Sequence, residues 1–92
     1  MGKAVVTLKV MPESPEIDLE ELESFCEEKV ESFANPDQIK IKREPVAFGL
    51  KALVIQFVMG EDQGNTDELE ETLSEHEDVR GAETTDVRRT LG

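Results

Sequence analysis

Apolar residues recur with two periods along this chain, and the changes of period divide it into six segments. From Lys3 to Met11, KAVVTLKVM alternates: Ala4, Val6, Leu8 and Val10 share one parity, Val5, Thr7, Lys9 and Met11 the other, and PESP interrupts the pattern. Period two marks a strand, because successive side chains leave opposite faces of a sheet. The next segment, DLEELESFCEEKVESFA, steps by three and four through Leu19, Leu22, Cys26, Val30 and Phe33. That spacing predicts a helix of about four turns with acids on its outer side. Asp18 is placed to cap it, with Glu21 three residues on as the partner of a capping box. NPD ends it, since Pro36 disfavours a helical residue before it and cannot donate a hydrogen bond.

Alternation returns in QIKIKREP, where Ile39 and Ile41 oppose Gln38, Lys40 and Lys42, as in a half-exposed strand near a sheet edge that Pro45 closes. LKALVIQFVM is apolar on both parities and predicts a central strand. After the loop GEDQG, Asn65 is expected to cap a shorter helix with Glu68 in the answering position and Leu69 and Leu73 turned inward. The tail VRGAETTDVRRTLG is polar but contains Thr and Val, the faintest of the strand signals.

Strand, helix, strand, strand, helix, strand is the order of a ferredoxin-like α+β sandwich, with a four-stranded antiparallel sheet and both helices on one face. Right-handed crossovers put the first and third strands, the two most hydrophobic, in the centre. With 92 residues, a single domain spanning 1–92 is expected.

Charge narrows the function. A formal charge of −12 repels phosphate backbones and anionic lipid surfaces, which sets nucleic acid and membranes aside. The RNA-binding version of this topology also needs aromatics on its central strands, where this chain has aliphatics and Phe57. One cysteine, Cys26, excludes an intrachain disulfide, and no run of eighteen apolar residues is present. A cytoplasmic protein is the simplest expectation.

Little supports catalysis. His76, the single histidine, sits among carboxylates in SEHEDV and reads as a surface residue; Cys26 lies on the inward stripe of the first helix and reads as a small core residue. GEDQGNTDELEE lacks the spacing of a calcium loop, and Gly60 and Gly64 form no phosphate cradle. No cofactor is called for. What remains is surface: Phe48 and Gly49 at the turn between the second and third strands, Lys51 just past it, and Arg88 and Arg89 in the last strand. Exposed aromatic and arginine side chains anchor interfaces. Phe48 either caps one end of the core or waits for a partner.

VMPESPEIDLEELE, EPVAFGLKALVI and TDVRRTLG, taken together and in this order, resemble the archaeal form of translation elongation factor 1-beta, the guanine-nucleotide exchange factor for the GTPase elongation factor 1-alpha. The resemblance covers essentially the whole chain and implies the same ferredoxin-like fold, a free monomer, and no enzymatic chemistry of its own. It implies that the aromatic of the FG tip, Phe48, packs into the GTPase. Eukaryotic members carry a lysine near the C-terminus that intrudes at the magnesium site; this chain has none there, and Arg88 and Arg89 are the nearby cations, one of which is expected to approach the nucleotide site. A ferredoxin-like regulatory domain that dimerises and binds a small metabolite is the alternative, distinguishable by sedimentation.

Overall fold

The structure is a computed structural model that describes residues 2–60 and 65–90. Most of the GEDQG loop, Gly64 included, and the last two residues of the tail lie outside the described residues. The elements are β1 (Lys3–Pro12), α1 (Leu19–Ala34), β2 (Ile39–Pro45), β3 (Lys51–Gly60), α2 (Asp67–Ser74) and β4 (Val79–Thr90). The strands form one antiparallel sheet in the order β2-β3-β1-β4, so the two most apolar strands are central, as the crossover rule requires.

The core lies between the sheet and the helices. Val6, Leu8 and Val10 of β1 and Leu53, Ile55 and Phe57 of β3 bury their side chains against Leu22, Cys26 and Val30 of α1 and Leu69 and Leu73 of α2. Each such side chain contributes about 1.5–3 kcal/mol by leaving water.

Local chemistry sets the helix ends. The Asp18 carboxylate accepts hydrogen bonds from the Glu20 and Glu21 amides at 3.0 and 3.4 Å, and α1 stops at Asn35, whose left-handed backbone (φ 45°) carries its N–H back to the Glu31 carbonyl. The start of α2 differs from expectation by one residue. Asn65 does bind an amide, that of Asp67 at 3.1 Å, but Thr66 occupies the cap position. The Thr66 hydroxyl is engaged elsewhere, hydrogen-bonded to the Thr84 hydroxyl of β4. A tertiary bond has displaced the local one.

β4 pairs with β1 along its whole length, with a bulge between the Leu8–Thr84 and Thr7–Asp86 pairs that leaves Thr85 as the extra residue. Before the bulge Ala82 and Thr84 stand opposite the core residues Val10 and Leu8; after it Val87 stands opposite Val6. The bulge therefore shifts the inward parity by one, and the Glu70 carboxylate accepts the Thr84 amide beside it at 2.6 Å.

Candidate functional site

The connection from β2 to β3 is a single tight turn over Ala47–Gly49. Its hydrogen bonds are all backbone: the Val46 N–H donates to the Leu50 carbonyl at 2.9 Å, and the Leu50 N–H donates to the Ala47 carbonyl at 3.3 Å. Leu50 anchors it from below, its side chain buried. Phe48 goes the other way and is 92% exposed. That exposure rules out Phe48 as a cap on one end of the core.

The backbone at the tip is unusual. Phe48 (φ 63°, ψ 28°) and Gly49 (φ 75°) are both left-handed. Gly49 meets that demand without penalty, and a Cβ there would touch nothing, so its φ alone calls for glycine. For a bulky aromatic the same region is a genuine outlier costing on the order of 1–2 kcal/mol. Strain of this kind persists where the surroundings over-determine it, and it concentrates at functional positions. Lys51 opens β3 opposite Pro45, exposed beside the tip.

Arg88 and Arg89 lie elsewhere. β3 runs from the tip towards Gly60, and β1 is antiparallel to it, so Val10 sits at the tip end opposite Leu53 and Lys3 at the far end opposite Gly60. Arg88 stands opposite Val5 and Arg89 opposite Ala4, near that far end and on the sheet edge away from β2. At about 3.3 Å per residue the tip and the arginines are separated by more than ~20 Å along the strands alone. The five residues thus form two corners on a diagonal of the sheet.

The two arginines also part from each other. Arg88 shares the face of Val5, away from the helices, is 80% exposed at its side chain, and pairs with Asp86 through Nε at 3.0 Å. Arg89 shares the face of Ala4 and borders a shallow hollow of about 240 Å³ with Asn65, Thr66 and Val87. Neighbouring residues on a strand cannot do otherwise.

His76 and Cys26 have structural work. The His76 ring packs on Phe25 with centroids 4.3 Å apart, and its Nδ1 accepts the Asp78 amide at 3.0 Å, which shapes the turn into β4. Cys26 is buried, and desolvation, with the Glu23 charge as a lesser cause, pushes its thiol up to about 12. A thiol held neutral is a poor nucleophile. Among the described residues no group of three or more His, Cys, Asp or Glu side chains could hold a metal, and no helix is long and apolar enough to cross a membrane.

A profile of the EF-1 guanine nucleotide exchange domain matches residues 5–90. The chain belongs to this family. Its relatives include the elongation factor 1-beta of Methanothermobacter thermautotrophicus, 46% identical over 91 residues that cover 99% of this chain and 100% of the relative. That of Methanobrevibacter smithii is 42% identical over the same shares, and that of Natronomonas pharaonis 40% over 95% of this chain and 93% of the relative. Among solved structures, the C-terminal domain LarC2 of a cyclometallase involved in synthesis of the NPN cofactor of lactate racemase superposes with a TM-score of 0.61. It covers 99% of this chain and 58% of that one at 10% identity, a likeness of fold alone.

Leu50 was missed at the level of sequence. The sequence pattern groups it with the apolar run of β3, whereas it is the buried foot of the tip. Its signal was present: an apolar residue two positions after Phe48, at the end of a turn and outside the strand.

Proposed function

We propose that residues 1–92 act as a single guanine-nucleotide exchange domain that binds elongation factor 1-alpha in the cytoplasm and promotes release of its GDP. The observation that carries this reading is Phe48: a large aromatic, 92% exposed, held in left-handed backbone on a tip whose foot, Leu50, is buried. A large exposed aromatic that loses its water on contact is the kind of side chain that anchors an interface. Gly49 and Lys51 flank it as contact residues. Arg88 or Arg89 reaches towards the nucleotide site from the other corner.

The separation of the corners favours a macromolecule as ligand, because a metabolite cannot touch both. Exchange then needs no covalent chemistry, no cofactor held by this chain and no self-association. A factor that binds the nucleotide-free GTPase better than the loaded one must by linkage weaken nucleotide binding in the same ratio. A difference of about 4 kcal/mol corresponds to roughly a thousandfold. The test is release of a fluorescent GDP analogue from an archaeal elongation factor 1-alpha in excess unlabelled nucleotide. Acceleration by catalytic amounts of this chain, reduced strongly by Phe48→Ala, is the expected result. No acceleration of an active GTPase overturns the proposal.

A further inference from the structure

We infer that the open face of the sheet, between the tip and Arg88, docks an acidic patch of the same GTPase; this rests on the exchange reading. Both helices pack on one side of the sheet; on the other, Ala52 near the tip is buried, but Thr7, Lys9, Lys40, Lys42, Val54, Gln56 and Val58 are all partly or fully exposed. Cross-strand partners share a face, so the register lays out what that side presents. One row runs Lys42, Val54, Lys9, and the next Lys40, Gln56, Thr7. Between Lys40, Lys42, Val54, Gln56 and Thr7 lies an open hollow of about 440 Å³. In the following row Val58, 38% exposed, stands opposite Val5, and Val5 opposite Arg88.

The sign of this surface is opposite to that of the molecule. The chain carries −12 overall and six lysines, yet Lys3, Lys9, Lys40 and Lys42 all fall on this face. On its β2, β3 and β1 strands the one acid among the described residues is Glu44, at the tip end; Glu83 and Asp86 lie along the β4 edge, Asp86 paired with Arg88. A positive field with partly exposed valines at its centre selects a negative partner surface.

Three occupants satisfy that sign, and the observations favour one. Nucleic acid would want aromatic platforms, and none of the strands presents one to this face among the described residues. A second copy brings another −12. A GTPase that holds both Phe48 and Arg88 must pass along the molecule between them, and Arg88 lies on the lysine face itself. The patch is therefore continuous with both corners.

The experiment is calorimetric titration of nucleotide-free elongation factor 1-alpha with wild type, Lys40→Glu/Lys42→Glu, Lys40→Gln/Lys42→Gln and Phe48→Ala, at low and high salt, with melting curves confirming that the variants fold. The face predicts a Kd at least about tenfold weaker for the double glutamate variant at low salt, an intermediate value for the glutamine variant, and a gap that closes as screening shortens the reach of the charges. Unchanged affinity in the glutamate variant, with Phe48→Ala still weakened, overturns the inference and leaves the exchange reading standing. Absence of binding by wild type, or no effect of Phe48→Ala either, overturns that reading too. Loss of retention of an RNA oligonucleotide, or of a dimer in sedimentation, with GTPase affinity intact, overturns the inference in favour of those occupants.

Discussion

Replacing Phe48 with glycine separates the two roles of that position, because the side chain that a partner needs is one the isolated domain does not. Phe48 is 92% exposed, so truncation removes almost no internal packing. Its backbone sits at φ 63°, where a residue with a Cβ is penalised by about 1–2 kcal/mol and glycine is not. Glycine's looser unfolded chain gives back roughly 0.5–1 kcal/mol. Phe48→Gly should accordingly be as stable as wild type or more so by up to about 1.5 kcal/mol, which for a domain this size raises Tm by no more than ~6–12 °C. Phe48→Ala keeps its Cβ and the penalty, and serves as the reference. Binding moves oppositely: loss of a buried phenyl anchor costs about 2 kcal/mol or more, upwards of tenfold in complex affinity. The assay is a pair of thermal melts by circular dichroism beside the GDP-release rate. A Tm several degrees below wild type for Phe48→Gly would refute the argument, since the ring would then be holding the domain together.

Other outcomes follow from the same geometry. Leu50→Ala should lower unfolding free energy by about 2–5 kcal/mol in urea titration and slow GDP release as the tip loses its foot. Arg88→Ala should slow GDP release more than Arg89→Ala in the same fluorescence assay, because Arg88 alone faces the lysine-bearing side. Cys26 carries a pH signature: its thiol rises from 9.0 to about 12 in the fold, so the unfolded chain loses its proton first and stability falls as pH climbs between those values. The slope is about 1.4 kcal/mol per pH unit, and Cys26→Ala should remove it from alkaline urea titrations. Arg43→Ala should leave the urea midpoint almost unchanged, since its 2.8 Å ion pair with Glu23 lies at the surface, where water screens it.

Much of this was legible in the order of residues, for identifiable reasons. Strands β1 and β2 announce themselves because one face of each is more buried than the other, β3 because it is apolar on both parities, and α1 because three buried residues recur at four-residue spacing. β4 was faint because its bulge breaks the rhythm: Ala82 and Thr84 face in at even positions, then Val87 at an odd one. The cap of α2 was misplaced by one because a hydroxyl contact across to Thr84 lies beyond any local rule. At the site, Phe48, Arg88 and Arg89 could be picked out by type, but their distance could not. Whether Arg88 lies near the tip or at the opposite corner depends on register between strands far apart in the chain. The lysine face was hidden for the same reason: Lys40 and Lys42 share a visible parity, but only pairing through Val54 and Gln56 brings β1 beside them.

The two corners differ in how they come into being. The tip belongs to a hairpin whose strands are joined by one short turn, a local structure with little loop entropy to overcome. The arginine corner exists only once β4 has returned to the first strand, pairing Lys3 with Thr90 across almost the entire described chain. Contacts of such sequence separation form late and are the expensive ones in a folding reaction. The exposed ring of Phe48 thus sits on a local unit, and the two arginines on the closure that completes the domain. A chain that has not finished folding already displays the ring and the lysines of β2, but not yet the arginine corner.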